Sequence, residues 1–389
     1  MGSTPNTLTN LIPTLYAALD TVSRELVGMI PAVTKDAQVA RAAIGQTIYS
    51  PVAPAATAGD IAPNVTPPDD GQQTFGNISL AITKARRVPI RWQGEESLQM
   101  NNNGVGVNTM LKDQFAQAMR TLANEIESDL CGLYVNASRA IIPNDTTLFK
   151  TNLADFANVR KILVDNGAPL SDLQCVIGTT EGAALRTLTN LNSNADAGTT
   201  DTLRKGVLLD IHGMQIRESA QIKTPAIGTE ADATLDTTDY AVGTETMALA
   251  NAGTGTVVAG DLVTIANTGD TTTQYVNKTL ISAVASSPFV INKPGLRLAI
   301  TANNCAIAVY KSSSRNLAFA RSAILLATRM PALPEEGDMA VDRITITDPI
   351  SGLSFEIAKY MQYRQVQYEI SIAWGVKAVK EEHIAILAA

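Results

Sequence analysis

Histidine is nearly missing from this chain of 389 residues, which holds two, His212 and His383. The first sits in an Ile-His-Gly turn and the second follows Glu381 and Glu382. Neither has a second histidine at metal-ligand spacing, which argues against a zinc centre and assigns both to the surface or to turns. Cysteine is scarce too. Cys131, Cys175 and Cys305 lie far apart, include no CxxC pair and are odd in number. That excludes a disulfide framework and points to a reducing compartment. Each lies in an apolar run, the setting of a buried, inert thiol. A basic excess is also lacking, since 30 Lys and Arg face 37 Asp and Glu for a net charge of −7. A dedicated nucleic-acid binder needs a basic face to displace phosphate counterions. The balance disfavours that class, but not a container whose inner wall tolerates DNA. Apolar runs stay short of the ~18 to 20 residues of a membrane helix. The start, Met1-Gly2-Ser3-Thr4-Pro5, carries neither the basic nor the apolar region of a secretory signal.

Catalytic signatures are absent as well. There is no GxSxG elbow, no P-loop and no GxGxxG after a strand, and Gly104-Val105-Gly106 lacks a preceding strand. Glu95 and Glu96 are adjacent in sequence, so they do not converge on one substrate, and salt bridging or solvation accounts for them better. Asp69-Asp70-Gly71, Asp261 and Asp270 lack the spacing of a calcium loop. The expectation is a protein with no catalytic residue, no cofactor and no metal, and not an enzyme.

What is present is a folded composition, 45% hydrophobic and 17% charged, long enough for two or three modules. Leu15, Leu19, Val22, Leu26 and Met29 follow one helix face, with Pro13 at a first-turn position. This helix docks either on its own domain or, as an arm, on a neighbour. From Tyr49 to Gln73 the chain is rich in proline and poor in bulky apolar residues, as expected of a functional or disordered loop. Period-2 segments follow at Ile78, Leu80, Ile82 and at Val88, Ile90, Trp92, and the whole reads as an extended arm. Lys84, Arg86, Arg87 and Arg91 cluster there. They are the candidates for contacts between subunits, with Glu95 and Glu96 as acidic counterparts; a solvated charged strand face is the alternative.

After an expected loop at Asn101-Asn102-Asn103-Gly104 comes the strongest helical stripe, Leu111, Phe115, Ala118, Leu122, Ile126, Leu130 and Leu133. It predicts a helix from about Asn108 to Asn136, a rod of roughly 45 Å at 1.5 Å per residue. An α/β pattern follows: a helix through Phe156, Val159 and Leu163 stopped by Asn166-Gly167, a strand Leu173 to Ile177, a helix to Leu188, and a strand pair turning near Gly213. From about Thr224 to Tyr310 the chain turns rich in Thr, Gly, Val and Asn with short alternating runs, which predicts an inserted all-β module that folds by itself. Leu317 to Met330 reads as a helix or strand-helix. Strands are expected at Arg343 to Thr347, Leu353 to Tyr360 and Val366 to Trp374.

This order of modules resembles that of the tailed-phage and herpesvirus capsid proteins. Within them it is similar to the coat proteins of the short-tailed Salmonella phage type, which carry such an insertion. Leu122-Ala123-Asn124-Glu125-Ile126-Glu127 resembles their spine-helix core. Arg315 through Ile324, followed by Met330-Pro331-Ala332-Leu333-Pro334, resembles the return from the inserted domain, and Ile372 through Val379 with His383 through Ile386 resembles their C-terminal strands. The β-insert and the extended loop depart from the pattern residue by residue.

The resemblance implies an α+β major capsid fold. Its parts are an N-terminal arm (1–47), an extended β-hairpin loop (48–92), a spine helix and peripheral domain (93–150), an axial α/β domain (151–223), an inserted β-domain (224–311) and a return to the axial and peripheral domains (312–389). It implies a virion structural protein that self-assembles, as hexamers and pentamers, into an icosahedral shell enclosing phage DNA. Its implied partners are itself, a scaffolding protein during assembly and maturation of the procapsid, a portal protein at one vertex, and double-stranded DNA held non-specifically, with no membrane. Assembly would take place in the bacterial host cytoplasm. The alternative is another virion component, a tail or decoration subunit.

Overall fold

A computed structural model describes residues 13, 15–19, 27–52, 58, 60, 61, 63, 65, 66, 76–102, 107–143, 147–188, 191, 210–251, 253–282, 288–301, 304–349 and 351–389. Residues 15–19 are helical, and Leu15, Ala18 and Leu19 are buried. Val22 and Leu26 lie outside the described residues, as does most of the expected proline-rich loop (53–57, 59, 62, 64 and 67–75).

The first strands are β1 (Thr34–Ala42), β2 (Thr47–Val52), β3 (Gly76–Ala81) and β4 (Lys84–Gln93). β2 and β3 form an antiparallel pair of their own, from Thr47 opposite Ala81 to Val52 opposite Gly76. The strand at 84–93, grouped with the arm in the sequence reading, leaves it after Ala81 and joins the body sheet. Apolar side chains at the hairpin base explain the division. Leu80 and Ile82 pack on Ala327 and Ala373 of the body, so the root is held and the remainder stands off.

The next elements are α1 (Gly94–Asn102) and α2 (Val107–Cys131), the latter 25 residues long and continued by a 3-10 turn over Gly132–Asn136. Asn101 and Asn102, expected in a loop, are helical, while Asn103 and Gly104 lie outside the described residues. Leu111, Phe115, Ala118, Leu122, Ile126 and Leu130 are all buried, so the stripe faces a core as its spacing requires. The rest of the first half comprises β5 (Arg139–Ile141), α3 (Ala154–Asp165), β6 (Leu173–Ile177), α4 (Thr179–Thr187) and β7 (Met214–Glu218). α3 stops where Gly167 adopts a φ of +77°, a value that favours glycine.

Between 224 and 311 the described residues hold eight strands and no helix: β8 (Thr234–Leu235), β9 (Thr246–Asn251), β10 (Thr256–Val257), β11 (Leu262–Ile265), β12 (Gln274–Val276), β13 (Ile281–Ser282), β14 (Pro288–Val290) and β15 (Ile307–Val309). Leu235, Met247, Leu249, Val263, Phe289 and Ile307 belong to a core of its own. The segment is nevertheless bonded into the body. β12 pairs with β5, placing Gln274 opposite Ala140, and Asn292 Nδ2 donates to the carbonyls of Val135 (2.6 Å) and Ala137 (2.8 Å).

The chain closes with β16 (Arg315–Ala320), β17 (Ile324–Pro331), β18 (Ala340–Thr347), β19 (Ser354–Gln362), β20 (Gln365–Ala378) and β21 (Ile384–Ala388). The helix expected within Leu317–Met330 is instead two strands joined by a 3-10 turn over Arg321–Ala323. β16 is central, between β21 and β6, and all six of its residues are buried. A strand covered on both faces loses the alternation that identifies strands, and an Ala- and Leu-rich run then reads as helix.

Two large sheets result. One has the order β1-β17-β20-β19-β18, with β4 on the other rail of β20; the second runs β15-β11-β12-β5-β21-β16-β6-β7. α2 packs on the first sheet, where Phe115 meets Tyr368 edge-on at 5.6 Å between ring centroids. α3 and α4 pack on the second, over Cys175, Ile177, Ala318 and Leu387. This is an α+β architecture with separate sheets sharing strand-to-strand connections, as the sequence led us to expect.

Candidate functional site

The strand carrying the candidate cations, β4, is an edge strand: it bonds β20 along one rail, from Lys84 opposite Trp374 to Gln93 opposite Gln365. Pro89, which has no N–H to donate, is at home on an edge. Alternation sends Lys84 and Arg86 toward α2, together with Val88, Ile90 and Trp92, and sends Arg87 and Arg91 to the opposite face.

On the helix side the cations meet carboxylates spaced four residues apart. Lys84 Nζ bonds Asp129 Oδ1 (2.8 Å) and Glu125 Oε1 (3.3 Å), and Arg86 Nε bonds the same Glu125 oxygen at 3.1 Å. Trp374 completes the group, with its Nε1 donating to Asp129 Oδ2 at 2.9 Å and its ring 5.9 Å below the Lys84 ammonium. The bond to Asp129, more than any other contact, raises the Lys84 ammonium above its ordinary value. On the other face Arg87 Nη1 reaches Glu369 Oε2 at 2.7 Å, which raises its guanidinium in turn. Arg91 is exposed and has no ion pair among the described residues.

Glu95 and Glu96 do not meet these cations. Both are exposed in the first turn of α1, where negative charge suits the helix N-terminus, and Glu96 Oε2 accepts the Gln93 amide at 2.9 Å. Three of the four cations thus have partners within the chain that the sequence reading missed: Glu125, Asp129 and Glu369. The i, i+4 spacing of Glu125 and Asp129 on a predicted helix was the available signal.

A second ionic group ties three strands of the same sheet. Glu356, with a side chain only 3% exposed, lies between Arg41 (2.7 Å) and Arg343, and Arg343 also bonds Asp338. Nearby, Arg329 Nη2 bonds Asp36 Oδ2 at 2.8 Å.

All three cysteines are buried, and burial pushes the thiols of Cys131 and Cys175 up to about 12. Among the described residues no three His, Cys, Asp or Glu side chains are grouped to hold a metal ion, and no helix is long and apolar enough to cross a membrane. His212 occupies a turn with a φ of +51°, and His383, expected at the surface or in a turn, ends a 3-10 turn and is buried there. The turn Glu381–His383 is drawn under the end of α3, where Asn166 Nδ2 donates to the Glu382 carbonyl at 2.7 Å. Lys278 grips Glu381 from the inserted segment through two bonds of 2.9 Å. Burial, then the Lys380 charge, lowers His383 below its ordinary 6.5. As pH falls the unfolded chain therefore takes the proton first, so stability is complete above that value and declines as pH drops through the lowered one. His383→Gln is expected to flatten this decline in thermal melts taken between about pH 7 and about pH 5. Equal slopes in the two proteins would remove His383 as its source.

No protein-family model matches this chain, and neither does any curated protein. Solved structures do resemble it. One is of Mycobacterium phage Che8, at 12% identity over 88% of this chain and 84% of that one, with a TM-score of 0.46. Another is the capsid of the cyanophage P-SCSP1u, at 11% identity over 92% and 86%, with a TM-score of 0.46. A third is the capsid of a native GTA particle, at 9% identity over 94% and 92%, with a TM-score of 0.43.

Proposed function

We propose that this chain is the major capsid protein of a tailed bacteriophage, a subunit that tiles an icosahedral head around double-stranded DNA. The observation that carries this reading is how the segments with capsid-like sequence lie together. Leu122–Glu127 falls in the buried stripe of α2. Arg315–Phe319 pairs with Ile384–Ala388, and Ile324–Arg329 pairs with Ala373–Ala378. Segments far apart in sequence thus form the joined centre of both sheets, from which a two-stranded hairpin stands off and into which an all-β segment is inserted. A shell subunit needs such projections, since ordering a loop costs about 1 to 2 kcal/mol per residue that a neighbour's surface can offset.

In this reading the chain is not an enzyme. It assembles in the host cytoplasm as hexamers and pentamers, with a scaffolding protein inside and a portal at one vertex, and it ends in the virion. The all-β segment between 224 and 311 supports the further reading that it is of the short-tailed Salmonella phage type. Arg91, Glu95 and Glu96, exposed and without an ion pair among the described residues, are the charged groups of this region we assign to contacts with a neighbour. Expressed with its scaffold the protein should give closed shells in negative-stain images; expressed alone it should give aberrant shells, tubes or capsomers. A chain that stays monomeric under every assembly condition would overturn the proposal.

A further inference from the structure

Glu127 stands on α2 with 1% of its surface exposed and, among the described residues, no cation bonded to it. Its partners are backbone amides instead. Oε1 accepts from Gly28 (3.1 Å) and Met29 (2.5 Å), and Oε2 accepts from Ile30 (3.0 Å). Three successive N–H groups converging on one anion form a nest, and here the chain supplies the anion itself. Burial raises the Glu127 carboxyl, while the three amides and the Ser219 hydroxyl pull it back down. The neighbouring groups are few: Cys131 one turn along the helix, and Lys223, whose Nζ is occupied by Ser128 Oγ at 2.5 Å.

The turn is also threaded tightly. A Cβ on Gly28 would lie 2.1 Å from the Glu218 carbonyl oxygen at the end of β7, so only glycine passes there. Downstream, Met29, Ile30 and Ala32 are buried and β1 enters the sheet beside β17. Upstream, Leu15, Ala18 and Leu19 pack into the core that α2 shares.

We propose that Glu127 is a latch that fastens the Gly28–Ile30 turn to the body, and that residues 15–19, which pack on the same core, are released with it while both sheets stay folded. A single carboxylate satisfies three amides at the boundary between sheet-anchored chain and the chain before it. Glutamine in its place offers one acceptor oxygen, and an N–H₂ that faces other donors.

Hydrogen exchange on the full-length, unassembled protein tests this. Glu127→Gln should speed exchange of the Gly28, Met29 and Ile30 amides roughly tenfold or more, with residues 15–19 following, while amides of β16 and β21 keep their wild-type rates. Gly28→Ala, which disturbs the threading without touching the carboxylate, should give the same regional pattern. In the wild type itself, residues 28–30 and 15–19 should open together and faster than β16 and β21. Unchanged rates at 28–30 in both variants would overturn the latch. So would a wild-type segment that exchanges only through global unfolding, a measurement that stands even if the variants fail to fold.

Discussion

Joining Val52 to Gly76 through a two-residue Asn-Gly link, in place of residues 53–75, is expected to abolish closed shells and leave the monomer's unfolding free energy within about 1 kcal/mol. Val52 and Gly76 are opposite one another in the hairpin, so a two-residue turn closes the pair without shifting register. What anchors the hairpin lies elsewhere. Leu80 and Ile82 are buried against Ala327 and Ala373, and Lys377 Nζ donates to the Ser79 carbonyl at 2.6 Å. Removing the tip leaves all of these in place. The paired measurements are a denaturant titration and negative-stain imaging. Normal shells from the shortened chain would show that the loop has no part in assembly, and loss of the cooperative transition would show that it belongs to the core.

Trp374→Ala should have the opposite character, a loss of folding before any question of assembly arises. The side chain is 0% exposed at the junction of β4, β17 and α2. Truncation of a buried Trp to Ala costs about 3 to 5 kcal/mol. It also removes the Nε1 donor from Asp129 and the ring beneath Lys84. Trp374→Phe retains most of the volume and loses the hydrogen bond, so a penalty of about 1 to 2 kcal/mol is expected. The ratio between the variants separates packing from hydrogen bonding. Chemical denaturation provides it, and a shift under about 1 kcal/mol for Trp374→Ala would contradict the burial described here.

Residues that see water on one side were the legible ones. The stripe of α2 has a buried and an exposed face and can be read without knowing its neighbours; β20 is buried on both faces from Ile370 to Gly375 and was legible only because its sequence still alternates apolar and polar residues from Val366 to Ile372. β16 shows the converse. It is enclosed between strands and beneath helices, its pattern carries no contrast, and Leu317 to Met330 could be read only as a helix or strand-helix. His383 was read as a surface or turn residue; it does lie in a turn, and only the position of α3 and Asn166 above that turn buries it.

The candidate cations divide the same way. The sequence by itself determined that Lys84, Arg86, Arg87 and Arg91 cluster around an alternating run at Val88, Ile90 and Trp92, with a charged strand face as one reading of them. It also determined the long helix and the change to short strands beyond Thr224, both of which depend on periodicity and turn chemistry within a dozen residues; the α+β class came from the resemblance of the module order. Only the tertiary structure decided that Glu125, Asp129 and Glu369 are the cations' partners, that β4 belongs with β20 and not with the hairpin, and that Glu127 holds a turn almost a hundred positions away. An ion pair or a strand pairing is set by proximity in space, and hydrophobic burial chooses that proximity for the whole chain at once. A local pattern can say which face a side chain occupies; what stands opposite it depends on how every other face has been covered.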